Sequence, residues 1–104
     1  MTSFAISESS AGDVRVIAPR GEIDVATAPV LARHLSKCLR GPSPRVVVDL
    51  GETMFIDATG LAVLLNALRR ITTSGGRLAI AFSNPTVLRL SEVTKTTSTL
   101  AIFP

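Results

Sequence analysis

Apolar and polar residues alternate over Phe4-Ala5-Ile6-Ser7, which predicts a short first strand. Ser9-Ser10-Ala11-Gly12-Asp13 is rich in turn formers, and Val14 to Ala18 predicts a second strand, so the two form a hairpin. Pro19 then ends regular pairing or marks a sheet edge. The period changes after Gly21-Glu22-Ile23-Asp24. Leu31, Leu35, Cys38 and Leu39 fall on one helical face, with Arg33, Lys37 and Arg40 off it. Thr27 is positioned as an N-cap and Pro29 in the first turn, while Gly41-Pro42-Ser43-Pro44 stops the helix.

Val46-Val47-Val48 is a β-branched run of the kind found in strands covered on both faces, so it is placed centrally. Residues 50–57 read as a loop. Leu61, Leu64, Leu65, Leu68 and Ile71 then mark an apolar helical stripe that Ala62, Val63 and Ala67 widen. Arg69 and Arg70 suit that helix's C-terminal end, and Ser74-Gly75-Gly76 closes it. Arg77 to Phe82 predicts a strand. Ser83-Asn84-Pro85 opens a short helix to about Val93, Lys95-Thr96-Thr97-Ser98 is a polar connector, and Thr99 to Phe103 predicts a last strand. The expected order is β β α β α β α β. Such alternation implies an α/β domain with a mainly parallel central sheet, right-handed crossovers and an N-terminal hairpin.

The length of 104 residues suits one domain over 1–104, with room for one core and little for a deep catalytic cleft. Aromatic residues are 4% of the chain, with no Trp or Tyr, so the core is aliphatic and platforms for stacking bases are not expected. The single Cys excludes an internal disulfide and fits a reducing compartment. With no signal-peptide pattern and no apolar run of membrane-spanning length, the expectation is a cytoplasmic protein without membrane contact. Residues 1–57 hold seven acids and six bases, and residues 58–104 one acid and five bases, for a net charge of +3 overall. The bases form no run, so direct nucleic-acid binding is not expected either.

Candidate chemistry is sparse. His34 and Cys38 stand at i and i+4 on the first helix, but nothing completes a metal set, so neither a metal nor a cofactor is expected. A Ser-His-Asp arrangement would need His34 as base in mid-helix, and no phosphate loop or nucleophile elbow is present, so an enzyme is not expected. Asp24, Asp49 and Asp57 remain, all at the predicted carboxyl end of the sheet, where α/β folds collect functional groups. Each can equally be a cap or a turn former, and three acids together could hold a cation. Asp57-Ala58-Thr59-Gly60 sits where a loop meets the most apolar helix. Either Asp57 or Thr59 can cap it; if Asp57 does, Thr59 lies in the first turn.

Two segments resemble a known family. Val46-Val47-Val48-Asp49-Leu50, continued by Phe55-Ile56-Asp57-Ala58-Thr59-Gly60-Leu61-Ala62-Val63-Leu64-Leu65, is similar to the signature of STAS domains of bacterial anti-sigma-factor antagonists. Gly21-Glu22-Ile23-Asp24-Val25-Ala26-Thr27-Ala28-Pro29 resembles that family's second landmark, and the element order agrees along essentially the whole chain. The resemblance implies a β/α superhelix. It also implies partner switching: an unphosphorylated antagonist binds an anti-sigma factor that is a GHKL-type serine/threonine kinase, and so frees a sigma factor. Phosphorylation releases the antagonist and a phosphatase resets it.

On this resemblance the phosphoacceptor falls on Thr59, and the partner-binding residues on Asp24, Asp57, Ala58, Thr59 and Gly60. The family's usual acceptor is Ser, so Thr59 and the preceding Ala58 depart from the pattern. Two other readings stand beside this one. Related single-domain proteins dock on the ATPase of lipid-transport ABC systems, where Thr59 would be an unmodified interface residue. A regulatory domain for a nucleotide or other small ligand would need a pocket near Asp24 and Thr59. The oligomeric expectation is a monomer or a weak homodimer, with Phe4–Ser7 as an edge strand able to pair between chains.

Overall fold

The computed structural model describes residues 4–81 and the backbone of residues 101–103. The described elements are β1 (Ala5–Ala11), β2 (Val14–Ile23), α1 (Ala28–Cys38), β3 (Arg45–Asp49), β4 (Thr53–Ile56), α2 (Ala58–Thr73), β5 (Arg77–Ala81) and β6 (Ala101–Phe103). They build one sheet in the order β1-β2-β3-β5-β6, with β4 pairing β2 off that path. Among the described residues only the β1–β2 hairpin is antiparallel, and the other pairings are parallel. The mixed α/β architecture with a mainly parallel sheet is the one the alternating elements predict. The third helix expected from Pro85 to Val93 lies outside the described residues.

Three sequence expectations change. Both hairpin strands are longer than their alternation suggests, and β2 runs through Pro19. Pairing of β2 with β3 ends at Ile17 and pairing with β4 begins at Gly21. Pro19 falls between them, where neither strand needs its missing N–H, and its carbonyl accepts the Thr53 hydroxyl at 2.9 Å. The 50–57 loop contains a further strand, β4, because the released end of β2 offers it a partner. Finally, β3 is central as expected, between β2 and β5, but only one of its faces is fully covered: Val46 and Val48 are buried and Val47 is half-buried.

Burial follows the predicted periods in β2, β3, β5 and α1, whereas in the expected α2 stripe Leu61, Leu64 and Ile71 are buried and Leu65 and Leu68 half-buried. Ile17, Pro19, Gly21 and Ile23 alternate inward along β2, as do Val46 and Val48 on β3 and Leu78 and Ile80 on β5. Ala28, Leu31, Leu35 and Cys38 of α1, with Leu64, Ala67 and Ile71 of α2, join the same core. Full burial of a Leu, Ile or Val side chain contributes roughly 1.5–3 kcal/mol, so this aliphatic face supplies the main favourable term. Glycine matters at one bend: Gly21 has φ 103° and the β2–β4 register shifts between Gly21 and Glu22. That bulge sets the direction in which β2 delivers Asp24.

Candidate functional site

Parallel pairing brings the two sequence segments together. Ile23 of β2 is the register partner of Ile56 of β4, so the next residues, Asp24 and Asp57, emerge side by side at the carboxyl end of the sheet. The Asp57 N–H donates to the Ile23 carbonyl at 3.1 Å, tying the start of α2 to the end of β2.

The N-cap of α2 is Asp57: its backbone is extended and its Oδ1 accepts the Gly60 N–H at 3.0 Å. Thr59 is therefore the second residue of the first turn, and both Ala58 and Thr59 are exposed. No described residue hydrogen-bonds the Thr59 hydroxyl. Gly60 is buried, and its lack of a side chain has a reason. A Cβ there would meet Ile23 Cγ2 at 2.6 Å and Ile56 Cγ1 at 2.8 Å.

Asp24 organises a tight turn. Its Oδ1 accepts the Ala26 and Thr27 N–H groups at 2.9 and 3.1 Å. Thr27 occupies the N-cap position of α1 but makes no capping bond with its side chain. Instead its hydroxyl donates to the Glu22 carbonyl at 2.8 Å and accepts the Asp24 N–H at 2.9 Å. The two acids thus serve as cap and turn former, with the turn leaving Val25 outermost.

Asp49 does not join them. Its carboxylate accepts the Gly51 N–H at 2.9 Å and lines a separate cavity of about 290 Å³ with Ser7, Arg20 and Glu52. Among the described residues no group of three His, Cys, Asp or Glu side chains is arranged to hold a metal ion. His34 lies away from the site, paired through Nδ1 with Glu8 Oε2 at 2.5 Å, and Cys38 is in the core. Burial first, and then the Glu8 charge, raise the Cys38 thiol above its ordinary range, with Arg15 opposing.

Three apolar residues that periodicity does not mark out stand exposed at this end of the sheet: Val25 at 73%, Met54 at 62% and Phe55 at 41%. Phe55 pairs with Glu22 across β4 and β2, and Val25 caps the Asp24 turn. Their signal in the sequence is an apolar pair, Met54-Phe55, inside a stretch otherwise read as loop. The arrangement is an exposed hydroxyl on a helix start capped by Asp57, at the same end of the sheet as Asp24 and an apolar rim. Both carboxylates are committed to backbone N–H groups, as cap and turn former, and the exposed apolar rim beside them suits protein contact.

A model of the STAS domain matches residues 6–104. The chain belongs to the STAS domain family. Among curated relatives it is 28% identical, over 77% of its own length and 69% of the relative's, to the anti-sigma F factor antagonist of Paenibacillus polymyxa. It is 32% identical to the anti-sigma-B factor antagonist of Bacillus subtilis, over 71% of this chain and 67% of that one. A solved anti-sigma factor antagonist from Mycobacterium paratuberculosis superposes with a TM-score of 0.89 at 25% identity, covering 98% of this chain and 86% of that one. The fold is shared more widely. Unphosphorylated SpoIIAA, an anti-sigma factor antagonist, gives a TM-score of 0.72 at 15% identity over 98% of this chain and 88% of its own. Among the described residues no helix of this STAS domain is long and apolar enough to cross a membrane.

Proposed function

We propose that this STAS domain is an anti-sigma-factor antagonist, a binding protein rather than an enzyme, and that Thr59 is its phosphorylation switch. Asp24, Asp57, Ala58, Thr59 and Gly60 form the centre of the partner surface, with Val25, Met54 and Phe55 as its apolar rim. The carrying observation is the exposed Thr59 hydroxyl in the first turn of α2. The names of the relatives support the role of the whole domain.

The mechanism is repulsion at an interface. Free N–H groups and the helix dipole favour an anion at the start of α2, so phosphate on Thr59 leaves the helix intact. It does add about −1.5 to −2 charges next to two carboxylates. A partner that closes over a small neutral hydroxyl then meets a bulky dianion. A loss of ~3 kcal/mol weakens binding about 100-fold. An anti-sigma factor with serine/threonine kinase activity would install the phosphate and a phosphatase would remove it.

The test is titration of the cognate anti-sigma factor with the parent, Thr59→Ala and Thr59→Glu, together with mass spectrometry of residue 59 after incubation with partner and ATP. Parent and Thr59→Ala bind alike, only the parent gains phosphate, and Thr59→Glu binds more weakly. Equal binding by Thr59→Glu together with an unmodified Thr59 refutes the switch.

A further inference from the structure

The parallel strands sort charge by pole. At their amino ends lie Arg15, Lys37, Arg40, Arg45 and Arg77, with Arg69 and Arg70 near the end of α2; among the described residues Asp13 is the acid at this end, and Glu8 stands behind the cleft near Cys38. Arg15, Lys37, Arg40 and Arg45 line this cleft of about 420 Å³ between the end of α1 and the 41–45 connection. That connection is rigidly held: Arg77 N–H donates to the Pro44 carbonyl at 2.8 Å and Ser43 N–H to the Ser74 carbonyl at 3.4 Å. At the carboxyl ends lie Glu22, Asp24, Asp49, Glu52 and Asp57, opposed by Arg20. Among the described residues one pole is thus strongly basic and the other strongly acidic. Dividing the sequence into halves hides this, because each parallel strand starts near one pole and ends near the other.

We propose that the basic pole docks the acidic pole of a second copy of this chain, head to tail. The occupant is a second copy because this fold itself presents a complementary surface of opposite sign. The apolar rim adds a second match. Val25, Met54 and Phe55 meet Pro42, Pro44 and the aliphatic stems of the basic side chains, and the Phe55 ring offers a face to a guanidinium. Two different patches make this a heterologous contact, so it propagates into short open stacks. Each contact covers Thr59 of one copy and competes with any other partner of that pole. The association stands whether or not Thr59 is ever phosphorylated, and its test is separate from that of the switch.

The test is sedimentation equilibrium of the nuclease-treated full chain at low and high salt. The Debye length falls from about 30 Å at 0.01 M to about 3 Å at 1 M. The parent exceeds its monomer mass of 10.9 kDa at low salt and returns to it at high salt. Reversing exposed charges at either pole, by Arg15→Glu with Arg45→Glu or by Glu22→Arg with Glu52→Arg, leaves a folded monomer by circular dichroism. Mixing the two variants restores a dimer of one copy of each, since only one pair of complementary poles remains. A parent that stays monomeric at low salt, an assembly that survives both reversals, or variants that fail to pair overturns the proposal. So does an assembly that vanishes once nucleic acid is removed, which would give the basic pole to a polyanion.

Discussion

Gly60 packs directly on Ile23: a Cβ on the first would lie 2.6 Å from Cγ2 of the second, closer than side chains come. Gly60→Ala sets two effects against each other. Alanine is worth about 1 kcal/mol over glycine inside a helix. Overpacking a closed core costs typically 1–3 kcal/mol. Ile23 and Ile56 are both buried β-branched side chains without room to swing, so the steric cost wins. Urea melts should show a net loss of up to about 2 kcal/mol. The start of α2, with Thr59, should be displaced from β2, which amide chemical shifts of residues 57–61 would report.

Asp57 caps α2 through one oxygen, and that separates its shape from its charge. Asp57→Ala leaves the Gly60 N–H without its acceptor and should cost ~1 kcal/mol. Asp57→Asn keeps an acceptor in place and should melt near the parent. Any change in partner affinity that Asp57→Asn shows at unchanged stability is then due to charge. The pair of measurements is a denaturant melt and a binding titration on each variant.

Why α1 and α2 are legible in the sequence and β4 is not comes down to what each pattern needs. The stripes Leu31-Leu35-Cys38-Leu39 and Leu61-Leu64-Leu65-Leu68-Ile71 each answer to one packing surface: seven of the nine residues are buried, and Leu65 and Leu68 are half-buried. Along β4, Thr53 and Ile56 are buried while Met54 and Phe55 are exposed, so no alternation exists to be read. Its partner is a β2 segment some thirty residues earlier, which Pro19 makes look unfit for a strand. The site is legible to the same extent. Residue types mark Asp24, Asp57 and Thr59, but they leave open which of Asp57 and Thr59 is the cap. That depends on the Ile23–Ile56 register, a tertiary fact, as does the separation of Asp49 from the other two acids.

The Thr27 hydroxyl pins the Asp24 turn by donating to Glu22 and accepting from Asp24. Thr27→Val keeps the shape and removes both bonds. Because the turn is only partly buried, water replaces some of the loss, and the cost should be the net value of about 0.5–1.5 kcal/mol. The local effect should be larger than the global one. Hydrogen exchange at the Asp24, Ala26 and Thr27 amides should speed up well beyond that of the β2 interior, loosening the apolar tip at Val25. Thr27→Ser should restore protection; if it does not, the methyl group rather than the hydroxyl holds the turn.

Cys38 provides a pH dependence with a definite sign. Its thiol is raised by burial and by Glu8, so the folded chain keeps the proton to higher pH than the unfolded chain does. At neutral pH both states are protonated and the thiol adds no pH dependence. As pH rises past the ordinary thiol range, near about 8.5, the unfolded state ionises first and is favoured. Stability should therefore be full below that range and decline above it, until the folded thiol ionises as well. Cys38→Ala should lower stability at neutral pH by removing a buried group, yet flatten the alkaline decline, measured by urea melts at a series of pH values. Thiol labelling of the native parent should be slow at neutral pH and rise to the rate of a free thiol in denaturant. Rapid labelling of the folded protein would place Cys38 outside the core.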